Sequence, residues 1–196
     1  MNRDDILAYY AEHLKPKRVR HCLGVEESAV ALARHWGADP AKAALAGLLH
    51  DCGKSLPVEE MAQRAARAGF EVDRLCERSP GILHAPASAD LARHDLGFDD
   101  EEVLSAIFWH TVPHQEMTLL ETIVSVADAI EPNRDFAGVD ELRGLAERDL
   151  TEAFRKSLAL TMVYVLNGGW VLHPGSVAVY NELTLQREAA ERPDYS

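Results

Sequence analysis

Apolar residues recur along the chain with the three-to-four-residue period of a helix, and no stretch alternates convincingly like a strand. The first periodic stretch covers residues 3–14 and stops before Pro16. A second runs from about 19 to 36 on a stripe of Cys22, Val25, Ala29, Leu32 and Trp36, and Gly37 closes it. Asp39-Pro40 caps a third, from 41 to about 54, with the aspartate as N-cap and proline in the first turn. After the turn Ser55-Leu56-Pro57 the pattern predicts a helix over 58–68, closed by Gly69. Ser79-Pro80-Gly81 reads as a turn, and Pro86 opens a helix reaching about 96, closed by Gly97. Helices over 100–110, 117–130, 139–148 and 150–167 follow, and a last one spans 175 to about 188. No repeat and no Pro/Gly/Ser-rich linker separates these elements. The sequence therefore predicts one all-α domain over residues 1–186 and a charged, frayed tail over 187–196.

Composition narrows the class. Of 196 residues, 47% are apolar and 27% charged, enough to bury an ordinary core. No run of 18 apolar residues occurs, so no membrane-spanning helix is expected. The opening Met1-Asn2-Arg3-Asp4-Asp5 carries acids and no apolar run follows it, unlike a secretory leader. Cys22, Cys52 and Cys76 form no CxxC pair and fit a reducing cytoplasm better than a disulfide framework. The net charge of −12, from 32 acids against 20 bases, argues against a protein that coats a nucleic-acid polymer. A small phosphorylated substrate stays compatible, provided metal ions or a few local bases supply positive charge.

The informative residues are ionisable ones on stripes meant for the core. Asp128 shares a stripe with Leu120, Val124 and Ala127, where a carboxylate is costly unless a cation or several donors compensate it. His110 continues the face of Val103, Ala106 and Ile107. His50 ends the apolar run Ala43-Ala44-Leu45-Ala46-Gly47-Leu48-Leu49, with Asp51 next. His21 lies at the edge of its stripe beside Val25, and His84 stands in the apolar turn Ile82-Leu83-His84-Ala85. For any one of these histidines, a core residue bonded to a carbonyl is the simpler reading. For the set, one metal site held by imidazole and carboxylate accounts for all of them.

A His-Asp pair alone carries nothing. Nine histidines and the aspartates of this chain give roughly 0.6 such pairs by chance, and a second pair, His94-Asp95, sits at the end of an ordinary helix and reads as solvated. His50-Asp51 differs in its setting, with a buried helix before it and Lys54 after it. On a continuing helix His50 and Lys54 would share a face, and an ammonium beside a metal site suits a phosphate contact.

The order His21, His50-Asp51, Asp128 resembles the HD-domain metal-dependent phosphohydrolases. The fuller pattern is Arg18-x-x-His21-x-x-Gly24-Val25, Lys42-Ala43-x-x-Ala46-Gly47-Leu48-Leu49-His50-Asp51-x-x-Lys54, His84, Ala106-Ile107-x-x-His110-Thr111 and Val126-Ala127-Asp128-x-Ile130-Glu131-Pro132-Asn133-Arg134. Over residues 18–166 it is similar to the YqeK family of symmetrical bis(5′-nucleosyl)-tetraphosphatases. That resemblance implies an HD-type helical fold and a two-metal site, with iron first and manganese or zinc as alternatives. His21, His50, Asp51 and Asp128 would hold one ion, and Asp51 would bridge to a second held by His84 and His110. It implies cleavage of diadenosine tetraphosphate into two ADP, with Asp51 and Lys54 as catalytic groups. Arg18, Lys54 and Arg134 would neutralise phosphates, and Thr111 and Asn133 would contact phosphate or bound water. The implied partner is a small nucleotide in the cytoplasm, without nucleic-acid polymer or membrane; a homodimer is admitted. The competing readings are an HD nucleotidase of other specificity, a dinuclear-iron HD oxygenase and a nucleotide- or metal-sensing module.

One departure stands out. Where that family has His-Thr-Thr-Gly, this chain has His110-Thr111-Val112-Pro113-His114, losing the backbone freedom of glycine and an amide donor at Pro113. His114 then reads either as a plain surface histidine or as a replacement phosphate contact. His13, His35 and His173 fall outside the pattern, and Cys22 and Cys52 read as packing residues. Glu131 either orients a metal ligand or faces solvent at a helix end.

Overall fold

In a computed structural model that describes residues 2–191, the predicted apolar stripes become buried helix faces. Eleven α-helices lie among the described residues, and no strand. They are α1 (Arg3–His13), α2 (Pro16–Trp36), α3 (Pro40–Leu49), α4 (Val58–Arg67), α5 (Arg74–Arg78), α6 (His84–His94), α7 (Glu101–Trp109), α8 (Leu119–Ile130), α9 (Val139–Arg148), α10 (Leu150–Asn167) and α11 (Pro174–Glu191). Cys22, Val25, Ala29 and Leu32 of α2 are buried against α3 and α8, and both of those pack on α7. Helix α6 lies between α7 and α4, α9 and α10 cover α8, and α11 rests on α10. The close approach of α2 to α3 depends on Gly47: a Cβ there would stand 3.0 Å from the carbonyl oxygen of Val25 and 3.1 Å from the Cα of Glu26. That approach sets His21 and His50 side by side.

Several boundaries differ from the sequence pattern, each for a local reason. Helix α2 begins at Pro16, whose missing N–H costs nothing in a first turn. Helix α3 ends at Leu49 rather than near Lys54. From His50 onward the chain tightens into three-residue turns, Cys52 N to Leu49 O and Lys54 N to Asp51 O at 3.0 Å each. Gly53 N is meanwhile drawn to Ser88 Oγ of α6 at 2.9 Å. His50 and Lys54 therefore do not share a helix face. Pro80–Leu83 forms a 3₁₀ turn that runs directly into α6 at His84, two residues before the expected start. The short α5, capped by Asp73, had no periodic signal. Helix α8 begins at Leu119 behind the capping box of Thr118 and Glu121. Helix α11 continues past Arg187 to Glu191, and residues 192–196 of the expected tail lie outside the described residues.

His94-Asp95 is not simply solvated. Asp95 accepts from both terminal nitrogens of Arg64 at 2.9 Å, which holds its carboxyl below the usual range. Beneath it Asp90, 3% exposed, accepts from Arg64 at 3.2 Å and from Arg67 Nε at 2.6 Å. This network fastens α4 to α6. Asp90→Ala would remove the buried anion that Arg64 and Arg67 share, while Arg64 keeps Asp95, and urea unfolding should show a loss of about 1–2 kcal/mol.

Candidate metal centre

Three histidines sit at boundaries of helical segments, and each spends its Nδ1 in the same way. His50 follows α3, His110 follows α7 and His84 follows the 3₁₀ turn. The last carbonyls of a helix lack an amide partner. His50 Nδ1 donates to Gly47 O at 2.8 Å, His110 Nδ1 to Ile107 O at 2.7 Å, and His84 Nδ1 to Gly81 O. His21, inside α2, donates Nδ1 to the Glu131 carboxylate at 3.1 Å. A carbonyl or carboxylate can only accept, so all four rings carry a proton on Nδ1 and turn Nε2 inward.

The inward nitrogens converge on two carboxylates. His21 Nε2 lies 3.2 Å from His50 Nε2, and His84 Nε2 lies 3.0 Å from His110 Nε2. Asp51 stands between the pairs and divides its oxygens. Oδ2 is 3.6 Å from His21 Nε2 and 3.5 Å from His50 Nε2. Oδ1 is 3.1 Å from His84 Nε2 and 3.9 Å from His110 Nε2. Asp128 Oδ1 joins the first group, 3.1 Å from His21 and 3.9 Å from His50. His50 is fully buried and Asp51 is 2% exposed.

The electrostatics keep both carboxylates ionised and the His84 and His110 rings neutral. Burial and the neighbouring Lys54 hold His84 below its ordinary pKa, and burial with His50 and His84 holds His110 well below. Their Nε2 atoms thus meet as two lone pairs. Burial by itself would raise the Asp51 carboxyl, but Lys54, His50 and His84 hold it well below the usual range. Asp128 is likewise depressed against burial, by His21 and Arg134. Burial would lower His50, but the Asp51 charge raises it. Asp51 Oδ1 is buried and accepts no hydrogen bond. Converging imidazole lone pairs and an orphaned carboxylate oxygen suit divalent cations, and the donor set matches Fe, Mn or Zn chemistry. Three combinations of these residues bring their ligand atoms within 4.8 Å of one another: His21/His50/Asp51, Asp51/His84/His110 and His50/His110/Asp128.

The expected phosphate contacts fall into different places. Arg18 Nη1 pairs with Asp51 Oδ2, and Arg134 donates to the Asp128 carbonyl at 2.8 Å and its carboxylate at 2.5 Å. Lys54 reaches the site from the turn after α3. Its ammonium is 2.9 Å from the His84 ring nitrogens and 3.8 Å from Asp51 Oδ1. Thr111 Oγ1 lies 3.0 Å from His84 Nε2. Asn133 is turned away from the centre, with its backbone N and Nδ2 both donated to Glu131 Oε2. Glu131, left open by the sequence, is buried and holds His21. His114 is neither a free surface histidine nor an inward contact: it bonds the buried Glu121 at 3.1 Å and packs on Trp109, ring centroids 4.7 Å apart. That pairing anchors the loop that carries Val112-Pro113.

Fold and site together define an all-helical protein built round a histidine–aspartate metal centre. The chain belongs to the HD domain family, which matches residues 18–133. It is 42% identical to the symmetrical bis(5′-nucleosyl)-tetraphosphatase of Bacillus subtilis, over 93% of this chain and 98% of that one. It is 38% identical to the protein of the same name from Halalkalibacterium halodurans, over 96% of this chain and all of that one. A crystal structure from Clostridium acetobutylicum, described as a predicted HD superfamily hydrolase involved in NAD metabolism, superposes with a TM-score of 0.90 at 40% identity. That alignment covers 95% of this chain and 98% of the other. No helix among the described residues is long and apolar enough to cross a membrane.

Proposed function

We propose that the protein is a cytoplasmic hydrolase that cleaves diadenosine tetraphosphate symmetrically into two ADP. The observation that carries this reading is the division of Asp51 between two histidine pairs beneath three cationic side chains. His21, His50, Asp51 and Asp128 would hold one divalent ion, and Asp51, His84 and His110 a second, with iron the first expectation. When bound, such a pair supplies charge for the polyphosphate and a water activated at neutral pH. Near-full-length relatives named for the symmetrical tetraphosphatase activity support the substrate.

The chain's own residues then have distinct tasks. Arg18 and Arg134 pair with Asp51 and Asp128, and where those carboxylates hold ions, both guanidiniums have charge to give to phosphate. Lys54 adds an ammonium on the His84 side, and Thr111 a hydroxyl at the same ring. These local cations offset the repulsion of a polyanion by a chain of net charge −12. Purified protein given a panel of dinucleoside polyphosphates, mononucleotides and NAD should turn over diadenosine tetraphosphate and release ADP alone on chromatography. ATP with AMP as first products would reject symmetrical cleavage, and turnover of NAD alone would point instead to the NAD metabolism named in the Clostridium protein's description.

A further inference from the structure

Glu131 is 2% exposed and both of its oxygens are committed. Oε1 accepts from His21 Nδ1 at 3.1 Å, and Oε2 accepts from Asn133 N at 2.7 Å and Asn133 Nδ2 at 2.9 Å. His21 needs this arrangement more than its three counterparts do. Those rings donate to carbonyls at helical ends, whereas carbonyls around His21 are occupied by the ladder of α2. The carboxylate fits only because residue 24 is glycine. A Cβ there would stand 2.4 Å from Glu131 Oε2 and 3.2 Å from Asn133 Nδ2. The turn carrying Glu131 is held in its turn by Arg143 of α9. Its guanidinium donates to Ile130 O at 2.9 Å and to Glu131 O and Arg134 O at 3.0 Å each. Helix α8 has no basic residue in its own last turn, so the charge that favours a helix C-terminus comes from α9.

We propose that Glu131, seated by Gly24, Asn133 and Arg143, is a positioning residue that holds the His21 proton on Nδ1 and aims Nε2 at Asp128 and His50. The consequence for metal retention rests on the proposed function; the tautomer itself does not. Outer partners of ligating histidines commonly govern ring orientation and affinity. Glu131→Gln tests this with little change of volume. A glutamine has one accepting oxygen and one donating NH2. With the oxygen turned to the two Asn133 donors, the NH2 faces His21 and requires Nδ1 to accept, which moves the ring proton to Nε2.

Nitrogen-15 NMR of the metal-free protein with labelled imidazoles reads the tautomer of each histidine. Wild type should show His21 protonated on Nδ1. Glu131→Gln should switch His21 alone, leaving His50, His84 and His110 as they were. In the same variant, titrated manganese should bind one site about 10- to 100-fold more weakly while the other keeps its affinity. Gly24→Ala, which displaces Oε2, should weaken the same site. A wild-type His21 with no proton on Nδ1, or a Glu131→Gln protein with unchanged tautomer and manganese affinity, would overturn the inference. Wild-type protein that takes up no manganese or iron would instead reject the metal reading, with the NMR result still deciding the tautomer.

Discussion

Asp51→Asn should produce a folded protein that has lost most of its metal and about 1000-fold or more in turnover, equivalent to roughly 4 kcal/mol. The size of the effect follows from geometry. One buried carboxylate faces two histidine pairs with separate oxygens, Oδ2 toward His21 and His50 and Oδ1 toward His84 and His110. An amide presents one neutral oxygen and an NH2 that cannot ligate, so both groups lose their shared anion. Asp128 approaches His21 and His50 most closely, both through its Oδ1, and does not divide its oxygens between the pairs as Asp51 does. Elemental analysis beside a rate measurement checks this. Full metal content with near-normal turnover in Asp51→Asn would place the centre elsewhere. His94→Ala is the matched control, because His94 belongs to the other His-Asp pair and is half exposed on α6. It should leave both readouts unchanged.

Lys54→Ala should separate metal holding from substrate handling. The ammonium touches His84 and approaches Asp51 without being a ligand itself. Removing it takes a positive charge from beside the centre, which should keep divalent ions in place or tighten them. A charge-assisted contact to phosphate is worth about 1.5–3 kcal/mol, so kcat/KM should fall on the order of 10- to 100-fold. Burial, together with Arg18 and Arg134, pushes the Lys54 ammonium below its ordinary pKa, against the pull of Asp51 and Asp128. Lys54→Arg should therefore recover only part of the loss, since a broader guanidinium does not fit where the ammonium meets the His84 ring. Wild-type kcat/KM in Lys54→Ala would make the lysine a structural neighbour of His84 and nothing more.

Much of this site was legible because burying ionisable residues on apolar stripes is costly. His110 and Asp128 betrayed themselves by continuing helical core faces, and His50 by ending an apolar run. The residues that hold them were less visible. His50 and His110 follow helix ends and donate back to a carbonyl, an event that three-to-four periodicity does not record, so the pattern carries α3 five residues too far and puts His50 and Lys54 on one face. Asn133 and Arg134 sat in the right motif, but their first partners are Glu131 and Asp128 of the same turn. Gly24 also stood in that motif, yet its reason is a close approach between α2 and the turn after α8, which only the packed structure reveals. His114 shows the same limit. Its partner Glu121 points into the core, 2% exposed, which the helical pattern does not reveal.

The central claim is a two-ion centre divided by Asp51, and counting metal per chain tests it most directly. Protein prepared without oxygen and loaded to saturation should hold two divalent transition-metal ions per chain, iron first among them. The double variant His84→Ala/His110→Ala should hold one, because His21, His50, Asp51 and Asp128 remain. One ion or fewer in the saturated wild type, with no further loss on removing His84 and His110, would contradict the account.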